Sequence, residues 1–157
     1  MRMLMLHFAY GSNMSRALMK TRCPNAHALG TGTLSGWRFV IGPDGYASVI
    51  RQPGGLVHGV LWQLSARDLA AVNAYESIQS GLYLMRTLTV RDAKRSAPAL
   101  VYVARRQGGG IARPGYLETV IAAALDWSLP PPYVRSIVRL SRSGFAGARA
   151  KETGEAG

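Results

Sequence analysis

Eight acids stand in this chain of 157 residues. One of them, Glu76, has surroundings suited to proton transfer. It follows an apolar helical stretch (Leu69, Ala70, Val72, Ala74) and precedes a strand-like run, among Tyr75, Ile78, Leu82 and Tyr83. A carboxyl in such company loses hydration and its pKa rises, so it can both take and return a proton near neutrality. Position alone admits a second reading, a helix-end glutamate open to water. The other acids have plainer explanations. Asp44 lies in the Pro43-Asp44-Gly45 turn, Asp68 at a helix start and Asp92 at a strand end. Glu118 and Asp126 fall on a helix, where solvation suits them, and Glu152 and Glu155 lie close to the C-terminus.

The segment Tyr10-Gly11-Ser12-Asn13 is the second candidate. A glycine between a strand and a helix lets the backbone approach a ligand closely. Successive N–H groups at the start of the following helix make a nest for a carboxylate or an oxyanion. The same residues also suit an ordinary turn, with Asn13 tolerating the left-handed region and Ser12 capping. His7, His27, His58 and Cys23 show no metal-ligand spacing. Ser12, Ser48 and Ser65 lack the Gly-x-Ser-x-Gly elbow. The Gly108-Gly109-Gly110 run lacks the Lys-Ser/Thr of a phosphate loop, and Cys23 before Pro24 reads as a buried hydrophobe.

Hydropathy patterning supplies the elements that must position these groups. Residues 3–9 read as a strand, with Ser15 capping a helix over 16–22 that Cys23-Pro24 ends. Strand-like pieces broken by Gly and Pro follow at 27–34, 37–41, 46–51 and 56–64. Ser65 then opens a helix over 67–75, with Asp68 placed for a capping box. Two more strands read at 83–91 and 99–105, and 107–110 is a glycine-rich loop. A helix over 116–127 has Val120, Ile121, Ala124 and Leu125 on one face. Leu129-Pro130-Pro131-Pro132 breaks it before a short last helix, 133–140. Strands and helices do not alternate strictly, which favours an α+β domain with a curled, mainly antiparallel sheet or small barrel flanked by helices. One domain over 1–140 is expected, with a disordered tail over 141–157, where Gly, Ala, Ser and charge predominate.

Hydrophobic residues make up 48% and charged residues 17%, enough to bury a real core. The apolar start is too short for a signal segment, no stretch reads as a membrane span, and the lone Cys23 excludes an internal disulfide. A cytoplasmic protein is therefore expected. The net charge of +11 would suit a nucleic-acid binder, but the cations are scattered and no basic run interleaves with aromatics. A generally basic surface without a nucleic-acid partner is the expectation. Its field would also draw in a small anion.

Several segments, in shared order and spacing, resemble the γ-glutamyl cyclotransferase family over roughly residues 3–140. Phe8-Ala9-Tyr10-Gly11-Ser12-Asn13-Met14 is similar to its opening motif, and Val57-His58-Gly59-Val60-Leu61-Trp62 to its Val-x-Gly-Val-x-Trp strand. Glu76 through Tyr83 resembles the catalytic Glu followed by a Gly and an aromatic. Tyr102 and Pro114-Gly115-Tyr116 fall where the family carries a strand Tyr and a substrate-side Tyr, and Leu129-Pro130 with Tyr133-Val134 resembles its last helix junction. Two positions depart: Ser77 stands where the family usually has Gly, and His7 where its first strand often has an aromatic. The Ser12-Asn13 pair is closer to the general cyclotransferases than to relatives specific for glutathione or γ-glutamyl-lysine, whose turns commonly end in Leu.

The resemblance implies that the α-amine of a γ-glutamyl amide attacks its own γ-carbonyl, giving 5-oxoproline and a free amine or amino acid. It casts Glu76 as the acid/base, the Gly11, Ser12 and Asn13 amides as the anion cradle, and Tyr10 and Tyr116 as orienting groups. It requires no metal and no cofactor, only a small γ-glutamyl substrate. The oligomeric state is left open, a homodimer included. A basic binding module on the same fold, without turnover, is the alternative.

Overall fold

A computed structural model describes residues 5–76, 81–106 and 108–141. Five strands build it: β1 (Met5–Ala9), β2 (His27–Ile41), β3 (Ala47–Leu64), β4 (Tyr83–Arg91) and β5 (Ser96–Ala104). They close into a barrel in the order β1-β3-β2-β4-β5. Four of the ladders are antiparallel, and β1 closes the ring beside β5 as a parallel neighbour, His7 opposite Leu100. A 3-10 turn (Ser12–Met14) and helices α1 (Arg16–Arg22), α2 (Ala66–Tyr75) and α3 (Tyr116–Asp126) pack around it, with α4 over residues 131–141. The α+β small barrel expected from the sequence is the fold observed. Among the described residues no helix is long and apolar enough to cross a membrane.

The strand pieces at 27–34 and 37–41 are one strand, and so are those at 46–51 and 56–64. Gly36 and the Pro53-Gly54-Gly55 stretch interrupt the ladder without ending it. The register jumps from Ser35↔Leu56 to Trp37↔Arg51, a bulge that bends this long pair so that it can curl. Gly55 is needed there because a Cβ would sit 2.4 Å from the Trp37 carbonyl oxygen. Sequence breakers that read as strand ends are therefore corners of a barrel.

The helix starts follow the expected chemistry. Ser15 Oγ accepts from the Leu18 N–H at 3.3 Å, and Ser65 with Asp68 forms a full capping box. On α3 the buried stripe is Leu117, Val120, Ala123 and Ala124, one step away from the expected face, and Leu125 is exposed. The last helix begins at Pro131 rather than Tyr133, because a first-turn proline surrenders only an N–H that has no helical acceptor anyway. It includes Ser141, and 142–157 of the expected tail lie outside the described residues.

The core is continuous. Phe8, Leu34, Val49, Val57, Val60, Val90 and Val101 from the strands meet Met14, Met19, Val72, Leu117, Val120 and Ile137 from the flanking turns and helices, all buried. Burial of each large side chain contributes about 1.5–3 kcal/mol. Met14 is among the side chains with no exposed surface. It anchors the turn that follows β1, and the Trp127 indole N–H fastens its carbonyl at 2.7 Å from the end of α3.

Candidate active site

β1 runs straight into the Tyr10-Gly11-Ser12-Asn13 turn, so the barrel fixes where that turn begins. It is a 3-10 turn of its own, separate from α1, which starts only at Arg16. The expected nest at the start of the following helix is thus corrected: its donors come from the short turn. There the N–H of Met14 bonds the Gly11 carbonyl and that of Ser15 the Ser12 carbonyl, both at 3.0 Å. The amides of Ser12 and Asn13 open the turn, and such leading N–H groups have no acceptor inside it.

Across from the turn, α2 ends at Tyr75 and Glu76 is its C-cap, its N–H bonded to the Val72 carbonyl at 2.8 Å. The Glu76 carboxylate accepts from Asn13 Nδ2 at 3.1 Å, joining two segments 63 residues apart. Of the two readings open in the sequence, partial burial beside this turn is the observed one. Burial pushes the carboxyl up to about 7, while the nearby Arg22 charge and the Asn13 hydrogen bond pull the other way. Ser77–Ser80, including the position where the family usually has Gly, lie outside the described residues.

Tyr116, at the first turn of α3, completes the enclosure. Its hydroxyl lies over Gly11, where a Cβ would come within 2.8 Å of it, and accepts from the Ala47 N–H at 3.2 Å. Burial pushes this phenol up to about 12 despite that donor and the Ser12 N–H. Glu76, Gly11, Ser12, Asn13, Tyr10 and Tyr116 thus line one cavity of about 190 Å³. Tyr10 is there as a ring face only, because its buried hydroxyl donates to the Tyr102 carbonyl.

Six of the seven tyrosines line this cavity, so its polar surface is mostly neutral hydroxyl and amide, with Glu76 as the one acid among the described residues that line it. Tyr83 donates to the Ala47 carbonyl at 2.8 Å and Tyr102 to Asn73 Oδ1 at 2.5 Å. Burial and the neighbouring Glu76 carboxylate hold Tyr10, Tyr83 and Tyr102 far above the ordinary phenol range. His7 forms part of the same wall, edge-on to Tyr102 at 5.4 Å. Its Nδ1 meets the Leu100 carbonyl at 3.2 Å and therefore carries the proton, since a carbonyl only accepts. Burial lowers its pKa to about 4, so the ring is neutral.

Sequence reading missed Arg22, which ends α1. Its Nη1 donates to Asn13 Oδ1 at 2.5 Å and Ser12 Oγ at 3.3 Å, and its Nη2 to the Tyr75 hydroxyl at 2.6 Å. An arginine in a last helical turn reads as an ordinary complement to the helix dipole, and nothing in spacing points it at the turn. Among the described residues, no three His, Cys, Asp or Glu side chains cluster in a way that could hold a metal ion. What the site offers is one carboxyl able to trade a proton near neutrality, set against backbone donors in a tyrosine-walled cavity.

Comparison with known proteins points to one family. The family model described as gamma-glutamyl cyclotransferase, AIG2-like, matches residues 7–128. The chain is similar to the gamma-glutamylcyclotransferase of Homo sapiens, 22% identical over 94% of this chain and 84% of that protein. The Bos taurus gamma-glutamylcyclotransferase is 23% identical with the same coverage. A solved gamma-glutamyl cyclotransferase structure superposes with a TM-score of 0.81 at 22% identity, covering 86% of each chain, a likeness of fold.

Proposed function

Since the chain belongs to the γ-glutamyl cyclotransferase, AIG2-like family, we propose that it cyclises a γ-glutamyl amide to 5-oxoproline with release of the amine. The observation that carries this reading is the Asn13–Glu76 contact at 3.1 Å, with the carboxyl raised to about 7 at the mouth of the Gly11–Asn13 turn.

The chemistry follows from the groups present. The γ-glutamyl moiety lies coiled in the cavity, its α-carboxylate or developing oxyanion on the turn amides, between the Tyr10 ring and Tyr116. Glu76 as carboxylate takes one proton from the α-ammonium and frees the nitrogen lone pair. That nitrogen attacks the γ-carbonyl carbon, forming the five-membered ring, and the carbonyl oxygen carries the negative charge. As the tetrahedral centre collapses, the bond to the amine nitrogen breaks and Glu76 returns its proton to that nitrogen. The second proton on the ring nitrogen passes to water.

Ring closure is intramolecular, so effective molarities on the order of 10⁵–10⁸ M come from the substrate once it is coiled. The protein must add proton transfer, about 10²–10⁴, and oxyanion stabilisation of about 3–4 kcal/mol per donor. Incubating the protein with a panel of γ-glutamyl amino acids, peptides and amines, and measuring 5-oxoproline, tests the reading. Release from at least one, abolished in Glu76→Gln, is the expected result. No release from any would leave the fold without this reaction.

A further inference from the structure

Arg22 does more than finish a helix. Its guanidinium is turned away from the α1 carbonyls and divided between two distant segments, Ser12 and Asn13 on the turn and Tyr75 at the end of α2. Its Cζ also sits over the Tyr75 ring, 3.5 Å from the centroid. A cation–π contact and hydrogen bonds on both arms leave a guanidinium little freedom.

This has a consequence for Asn13. A guanidinium has donors only, so it must meet the oxygen of the Asn13 amide, and the NH₂ end must then face the other way, toward Glu76. Without Arg22 the amide could turn over and present its oxygen to the carboxylate, a repulsive pairing for the charged form. We propose that Arg22 is a positioning residue of this site: it fixes the direction of the Asn13 amide and, through it, holds the Glu76 carboxylate in one orientation as the base.

The surroundings of Glu76 support the assignment. β1 presents Tyr10 and the neutral His7, α2 Tyr75, β4 Tyr83, β5 Tyr102 and α3 Tyr116, none of them a cation. Among the described residues Arg22 is the positive charge acting on Glu76, and with Asn13 it opposes the effect of burial. Arg22 is absent from the cavity lining, so it acts through Asn13 rather than on a substrate.

The role as positioner of a base rests on the cyclotransferase reading, and the test separates the two. Arg22→Gln, Arg22→Lys and wild type are titrated by carboxyl ¹³C NMR without substrate, beside pH profiles of 5-oxoproline release and thermal melts. In Arg22→Gln the Glu76 midpoint should rise from about 7 by about 1 unit or more, the effect of losing a nearby opposite charge. Turnover at pH 7 should fall about tenfold and recover only in part above pH 8 as the carboxyl ionises, a several-fold loss of orientation remaining, with kcat changing more than KM. Arg22→Lys keeps the charge without the fork, so its midpoint should move less than that of Arg22→Gln while its rate stays several-fold down.

A Glu76 midpoint unmoved in Arg22→Gln, or a rate loss equal at every pH, overturns the proposal. If the Gln variant does not fold, a Lys variant identical to wild type in titration and rate overturns it equally. A wild type that releases no 5-oxoproline sinks the cyclotransferase reading alone, since the substrate-free titration still reports whether Arg22 acts on Glu76.

Discussion

Helix α2 carries an acid near each end, and the two are put to opposite uses. Asp68, in the first turn, is only 1% exposed, and its Oδ2 accepts from the Ser65 N–H while Ser65 Oγ accepts from the Asp68 N–H. It bonds its own turn, at the end where the helix dipole favours a negative charge. Glu76 caps the other end, where the dipole disfavours one, and its partner is a side chain delivered by a remote turn. An acid that bonds its own backbone serves structure. An acid held by side chains of another element, with a cavity in front of it, is available for chemistry.

Substituting at the two ends should break that comparison or sharpen it. The largest effect is expected for Glu76→Gln, with 5-oxoproline release down by about 10²–10⁴. Its stability should match or exceed wild type. The native carboxyl titrates at about 7 against an ordinary value of 4.5, so between those values the folded state binds more protons than the unfolded chain. Wild-type stability therefore falls as pH rises through this window, and the Gln variant escapes that loss. Melts at pH 4.5, 6 and 8 should show the variant's advantage growing with pH and levelling off above 7. Wild-type turnover at pH 8, or an advantage shrinking with pH, would place the base elsewhere.

The same carboxyl sets the wild-type profile. Below pH 7, kcat/KM should fall about tenfold per unit as Glu76 takes up its proton, with the limb centred at about 7. A flat profile from pH 5 to 8 would contradict it.

A smaller effect is expected on the turn. Gly11→Ala places a methyl 2.8 Å from the Tyr116 hydroxyl, which should raise KM several-fold with little change in the melt. Tyr116→Phe removes the atom in the way, so the double variant should bind better than Gly11→Ala alone. Additive losses in this cycle would show that the two residues do not share the site. The smallest catalytic effect belongs to Asp68→Ala, which should lower stability by about 1 kcal/mol through loss of the capping box and leave kcat within about twofold. A collapse of kcat with an unchanged melt would erase the distinction between the two acids.

Local signals were the legible ones. Ser15, Ser65 and Asp68 marked their helix starts because caps act within four residues. Gly36 and Gly54-Gly55 misled, since a glycine that ends a strand and one that bends it look alike until the partner strand is known. On α3 the phase slipped by a residue because Ala123 and Leu125 are both apolar and only neighbours decide which is covered. Glu76 and the turn stood out by residue type, but their approach is a tertiary fact. Arg22 was invisible for the same reason: its partners lie 9, 10 and 53 residues away.

The placement of β1 has a consequence for the timing of folding. This first strand pairs with residues 60–64 on one side and sits beside Leu100 on the other, and the Tyr10 hydroxyl closes on the Tyr102 carbonyl, 92 residues on. Contacts of such separation form late and slowly, after the loops between them have been closed. On the ribosome the opening motif is made before its partners, and although β3 can pair with β1 early, the barrel and the site close only once β5 and α3 have emerged. A chain stalled before residue 100 therefore carries the turn and the acid but no site. The onset of activity in a synthesis reaction would report completion of the barrel.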